Sequence, residues 1–169
     1  MILTHDVILR EIAEGRLTID PFSPDQVGPA SIDLHLGDEI RIMRGGPPVI
    51  ELVEDADYRT VTQVCPLDDP YVLQPGETIH GITRERIRLP GNIGGWLEGR
   101  SRFARLGLMI HVTSGFVAPG VDNRQVLEMS NVAGRPLAIH AGVRLCQLVL
   151  QRAEGSAIYN GRFARQDRL

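Results

Sequence analysis

Apolar and polar residues alternate along most of this chain with a period of two. In SIDLHLG (31–37), Ile32, Leu34 and Leu36 interleave with Ser31, Asp33 and His35, the signature of a half-buried strand. The rhythm recurs in EIRIM (39–43), ETIHGI (77–82), RIRL (86–89), QVLEMS (125–130), PLAIH (136–140) and RLCQLVL (144–150). Three Pro-Gly pairs, at 75–76, 90–91 and 119–120, fit type II turns with proline at i+1 and glycine at i+2. Many short strands punctuated in this way predict a mainly β domain, a sandwich or barrel.

One early stretch has helical spacing instead. Val7, Ile8 and Ile12 share a face, Thr4 precedes them as a cap, Asp6 suits the first turn and Gly15 is a stop. This predicts a short amphipathic helix over 5–14. Ser101 to Leu106, closed by Gly107, predicts one further helical turn or two. Residues 44–69, with Gly45-Gly46-Pro47-Pro48 and an acidic run, predict an irregular surface excursion. On composition alone, the basic end YNGRFARQDRL (159–169) predicts a loose tail.

Composition narrows the function classes. The 169 residues carry 18 Lys+Arg against 21 Asp+Glu, so a general nucleic-acid binder with a basic surplus is not expected. No stretch approaches the roughly 18 apolar residues of a membrane span. The start, MILTHDVILREIAEG, lacks the basic opening and long apolar run of a signal peptide. Cys65 and Cys146 are isolated, too few for a disulfide framework or a Cys-rich zinc site, and the H-x-E…P-C-x-x-C signature of zinc-dependent base deaminases is absent. The expectation is one cytoplasmic domain over 1–169 without nucleic-acid or membrane partners.

Against this acidic balance, LEGRSRFARLG (97–107) gathers Arg100, Arg102 and Arg105 around Ser101. If Ser101 caps a short helix, its free N–H groups and the forked guanidinium donors would make an anion cradle. Arg105, four residues on, would share a helical face with Ser101. A solubilising surface turn explains the same residues equally well. Glu128, between Leu127 and Met129, is either a solvent-facing strand residue or a pocket carboxylate with a raised pKa that moves protons.

Taken together, PASIDLHLGDEIR (29–41), RIRLPGNIGGWLEGRS (86–101), ARLGLMIHVTSGF (104–116), VLEMSN (126–131), GVRLCQL (142–148) and EGRLTIDPF (14–22) resemble the dCTP deaminase family, within the dUTPase-like trimeric superfamily. The resemblance spans nearly the whole chain in order. It implies a distorted β-barrel or jelly-roll-like subunit in a homotrimer, with sites between subunits. It implies hydrolytic loss of the 4-amino group of a cytosine nucleotide, most simply dCTP + H2O to dUTP + NH3. No zinc is involved, and Mg2+ is carried by the triphosphate.

By that resemblance, Glu128 stands where the catalytic glutamate takes a proton from water and returns one to the ring and the leaving ammonia. Ser101 and the backbone carbonyl of Ser114 hold the water, and Arg105 supports the polarised base. Arg100 and Arg102 fall where phosphate is gripped, and the backbone of Val126 and Leu127 reads the pyrimidine edge. Tyr159, Arg162 and Gln166 resemble a Tyr…Lys…Gln pattern in a tail, here 155–169, that closes over the nucleotide. His111 is expected to be a structural, hydrogen-bonded histidine.

The chain departs from the family at GFVAPGVDN (115–123). Ala118 replaces an aspartate that contacts the sugar, and Val121 replaces an aromatic under the deoxyribose. Loss of the aspartate counts against diphosphatase activity, and the smaller Val121 leaves room for a 2′-hydroxyl. Asp122, four residues past Ala118, is a substitute carboxylate by position. Arg102 also departs, standing where a small residue such as serine is common. The other readings are a dUTP diphosphatase-type nucleotide hydrolase and a non-catalytic nucleotide-binding trimer.

Overall fold

The computed structural model describes residues 1–111 and 113–169. A short helix, α1 (His5–Ala13), opens the chain, followed by β1 (Thr18–Asp20) and β2 (Ile32–Met43). Next come β3 (Thr62–Pro66), β4 (Tyr71–Leu73), β5 (Thr78–Arg88) and β6 (Ile93–Gly99). A single helical turn, α2 (Ser101–Ala104), leads into β7 (Leu108–Ile110), β8 (Phe116–Val117) and β9 (Asp122–Asn131). β10 (Leu137–Ile139) and β11 (Arg144–Arg152) complete the elements. Among the described residues no helix is long and apolar enough to cross a membrane.

Nine strands form one curled sheet in the order β7-β9-β5-β2-β11-β6-β8, with β1 added to β5 and β3 to β2, while β4 and β10 pair separately. This is the mainly β, barrel-like architecture that the alternating pattern predicts. Ile32, Leu34, Leu36, Ile79, Leu127, Met129 and Leu148 meet in the core. Their removal from water is the main stabilising term, at roughly 2 kcal/mol per large side chain.

The separate predicted strands 31–37 and 39–43 join as β2, and 77–82 and 86–89 join as β5. Each joint carries an irregularity. Between Leu36 and Ile40 β2 gains residues over β5, and between Ile82 and Arg86 β5 gains residues over β9. Such bulges twist the strand and re-aim its side chains.

Several local expectations are corrected. Residues 62–66 of the supposed excursion are a strand paired to β2, with Val61 buried beside it. Gly76 and Gly120 have the positive φ of a type II turn (80° and 72°), but Gly91 does not. There Ile93 N donates to Pro90 O, which puts proline first in the turn. Arg100, not Ser101, is the cap residue of α2; Ser101 is its first helical residue and makes no side-chain cap. Arg105 N still donates to Ser101 O at 3.1 Å, so the two stack on one turn.

Two buried carboxylates tie elements together. Glu11 of α1 accepts from Arg16 Nε at 2.6 Å and from Arg152 Nη2 of β11 at 2.5 Å. Glu85 of β5 accepts from His35 N at 2.9 Å, Gln26 Nε2 at 3.0 Å and His35 Nδ1 at 2.5 Å. Arg144 Nε donates to His35 Nε2 at 3.1 Å, which fixes the proton of the His35 imidazole on Nδ1. Every oxygen of Glu85 is thus engaged.

Candidate functional site

A cavity of about 340 Å³ opens against β9, within the size range of small-molecule sites. Alternation along β9 decides what faces it. Leu127 and Met129 point into the core, while Arg124, Val126 and Glu128 line the cavity. His80, the cross-strand partner of Glu128 on β5, lines it too. Ser114, Phe116, Val117, Ala118 and Val121 form the wall that follows β7.

Glu128 is the one carboxylate among the described lining residues. His111 N donates to Glu128 O at 2.8 Å, extending the β7–β9 pairing by one residue. His111 Nδ1 comes within 2.7 Å of Glu128 Oε2. The two make a close charged contact, and neither atom has another partner among the described residues. His111 is also the one described non-glycine residue at positive φ, 56°, a conformation held only where surroundings enforce it.

The expected rise in the Glu128 pKa is not found. Burial pushes the carboxyl up, but the adjacent His111 imidazole outweighs it, helped by a backbone N–H and by His80. The net direction is down from the ordinary value. His111 is therefore an electrostatic partner of Glu128.

The chain's end closes this cavity without regular structure. Tyr159 N donates to Pro119 O at 3.1 Å, Arg124 N to Gln166 O at 3.0 Å, and Asn123 Nδ2 to Phe163 O at 2.8 Å. Tyr159, Phe163 and Gln166 line the cavity as a result. Arg86 of β5 anchors the same segment by ion pairs to Asp167 and Asp122. Asp122 is thereby directed to Arg86 and is not a lining residue, so it does not stand in for a carboxylate at Ala118.

The sequence-predicted site residues divide into two groups. Glu128, Ser114, Val126, Tyr159 and Gln166 come together at the cavity, with Leu127 beneath them in the core. Ser101, Arg102 and Arg105 are exposed on and after α2, outside the cavity of their own chain. Arg100 is held by Asp33 at 3.0 Å and donates to Arg144 O at 3.0 Å. Arg162 lies outside the cavity, 3.9 Å from Asp57. Sequence reasoning missed His80 and Tyr58. Their place depends on strand register, and no local motif marks them.

Comparison with known proteins gives a consistent set of likenesses. A family model described as dCTP deaminase-like matches residues 2–153. A protein of Acidothermus cellulolyticus named dCTP deaminase, dUMP-forming, is 37% identical over 175 residues, covering 98% of this chain and 91% of that protein. A protein of the same name from Mycobacterium tuberculosis is 40% identical over 154 residues, covering 90% and 80%. Among solved structures, the 2′-deoxycytidine 5′-triphosphate deaminase of Agrobacterium tumefaciens superposes with a TM-score of 0.70 at 23% identity. That match covers 90% of this chain and 48% of the Agrobacterium chain, so this chain spans about half its length. A dUTPase of Staphylococcus aureus phage phi11 matches with a TM-score of 0.52 at 14% identity, over 86% of this chain and 96% of that one. At these identities the two structures share its fold.

Proposed function

The chain belongs to the dCTP deaminase-like family, and from that premise we propose that it hydrolyses the 4-amino group of a cytosine nucleotide at the Glu128 cavity. The observation that carries this reading is that Glu128, the one carboxylate among the described lining residues of the cavity, is backed by His111, whose Nδ1 lies 2.7 Å from its Oε2. Glu128 takes a proton from the attacking water and passes it to the ring nitrogen; it then carries the proton of the resulting C4 hydroxyl to the amino group, which leaves as ammonia as the carbonyl forms. The His111 contact keeps the carboxyl ionised and ready to act as base. The backbone at Ser114 positions the water, and the backbone at Val126 and Leu127 meets the pyrimidine edge.

Ser101, Arg102 and Arg105 enter this scheme from a neighbouring subunit. On their own chain they are exposed and outside the cavity, and the resemblance puts such sites between copies of a homotrimer. Exposed apolar side chains support a covered face: Leu106, just after α2, is 61% exposed and Phe116 60%, and the tilted rings of Trp96 and Phe116 lie 5.9 Å apart. Arg102 and Arg105 then grip phosphate and support the base. Arg100, bound to Asp33, sets the start of α2.

Among the described residues no three His, Cys, Asp or Glu side chains converge as metal ligands. In this proposal a magnesium ion would arrive on the triphosphate and neutralise phosphate charge, and the deamination itself would be carried by Glu128 without zinc.

The product under this proposal is dUTP. Glu128 is the single carboxylate among the described lining residues, and Ala118 supplies none to activate a second water for attack on phosphorus. The relatives' printed name, dUMP-forming, favours a second reading in which pyrophosphate leaves as well. Ala118 and Val121 also leave space beside the sugar, so CTP is a candidate substrate. One assay decides: incubate the protein with Mg2+ and dCTP, CTP or dUTP, and follow ammonia and pyrophosphate. Ammonia alone supports the proposal, and both products from dCTP support the second reading. Pyrophosphate from dUTP without ammonia from dCTP would make it a diphosphatase, and nucleotide binding with neither product a non-catalytic binder.

A further inference from the structure

Three side chains stand in one row across adjacent strands. Arg41 of β2 lies opposite His80 of β5, and His80 lies opposite Glu128 of β9. Directly opposed residues hold their Cβ atoms about 5 Å apart, so His80 is interposed between a guanidinium and the carboxylate.

The row is built with care at its cationic end. Arg41 is 6% exposed, yet no carboxylate among the described residues lies in ion-pair range of it. Its Nη1 donates to Thr62 Oγ1 at 3.1 Å, while Nε has no partner among the described residues. The guanidinium sits 5.3 Å over the Tyr58 ring, and that ring meets His80 edge to face, with centroids 5.7 Å apart and planes at 70°. A buried cation without a counter-ion is costly; the nearest anion along the row is Glu128, across His80.

Resting on the function proposed above, we propose that His80 is a positioning residue for Glu128: the imidazole separates the buried Arg41 cation from the carboxylate and sets the pH range in which that carboxylate works. The groups that face it are Arg41 from β2, Tyr58 from the loop before β3 and Glu128 from β9. His111 stands on the far side of Glu128, and Arg124 lines the same cavity from β9. Burial holds the His80 imidazole below the ordinary histidine value, Glu128 drawing it up and Arg41 pressing it down. At neutral pH the ring is uncharged and does not over-stabilise the carboxylate. In acid it becomes imidazolium and helps Glu128 stay ionised.

The test has one arm without substrate and one with it. The chain has five histidines, and the His80 ring resonance is assigned by its loss in His80→Gln. Its NMR titration midpoint should fall in Glu128→Gln and rise in Arg41→Met, each by about half a pH unit or more at the effective dielectric of such sites. A midpoint unmoved in Glu128→Gln overturns the proposal, and that arm decides alone if Arg41→Met does not fold. In the second arm, the acid limb of kcat for ammonia release should move to higher pH in both His80→Leu and His80→Gln, with KM little changed. An acid limb identical to the native one overturns the positioning role. Native protein that releases no ammonia would overturn the deaminase reading, and the titration would still decide whether His80 is coupled to Glu128.

Discussion

Glu85 and Glu128 are both strand glutamates set against a histidine, and they are built to opposite ends. Glu85 is 1% exposed and receives hydrogen bonds from Gln26 and from the backbone and ring of His35. Arg144 fixes the ring from behind. Glu128 has one close charged partner, His111 Nδ1 at 2.7 Å from its Oε2, and its side chain is 31% exposed at a cavity. A fully satisfied buried network holds elements in place, whereas a half-satisfied one is retained where a ligand completes it. The contrast sets the structural carboxylate apart from the one proposed to react without reference to any motif.

The largest expected effect comes from breaking the reactive side. Glu128→Gln should lower ammonia release by about 10³-fold, the scale of a lost general acid–base group, while leaving the melting temperature within a few degrees. Steady-state kinetics with a thermal melt checks both. Retained activity would show that the open carboxylate is not the base.

The structural side should fail in the reverse manner. Glu85→Ala leaves His35 and Gln26 without their common acceptor, a loss of about 3 kcal/mol for a broken buried network. Denaturant unfolding should show it, and activity per folded molecule should stay close to native. A variant that is stable but inactive would erase the distinction between the two sites.

Glu11 extends the structural class and gives it a pH signature. The Arg16 hydrogen bond, opposed by burial and assisted by Arg152, holds its carboxyl down to about 2. A carboxyl with a depressed folded-state pKa stabilises the fold above its unfolded value and loses that contribution as pH falls. Stability on the order of 2 kcal/mol should therefore disappear between about pH 4.5 and 2, after allowance for screening at half-exposed Arg16. Glu11→Gln should flatten that part of the acid-unfolding curve.

How much of this was legible from residues alone differs between the two carboxylates' surroundings. The period of two marked the stretches that form β2, β5, β9 and β11. The helix over 5–14 was found because its face and stop are local. The row Arg41–His80–Glu128 was not legible. Its members lie far apart in sequence, and their alignment depends on two bulges, at 36–40 and 82–86, that shift register without altering the local pattern. The tail reads as polar and loose because its anchors, Asn123, Arg86 and Pro119, are supplied by other segments. The α2 arginines were conspicuous as charge, but one chain's own fold leaves them outside its cavity.

The smallest predicted effect concerns the apolar part of the cavity wall, where no charge is at stake. Val121 is 4% exposed, packs in the core and lines the cavity, so added volume there extends toward the ligand. Val121→Phe should cost about 1–3 kcal/mol in stability from overpacking. It should also sharpen discrimination against a 2′-hydroxyl, raising the dCTP-to-CTP ratio of kcat/KM about tenfold, a steric difference of methylene size. The ratio is read by competition between the two nucleotides in one reaction, which cancels any loss of folded protein. An unchanged ratio would mean that the sugar does not lie against Val121, and the ligand's orientation relative to Glu128 would have to be reversed.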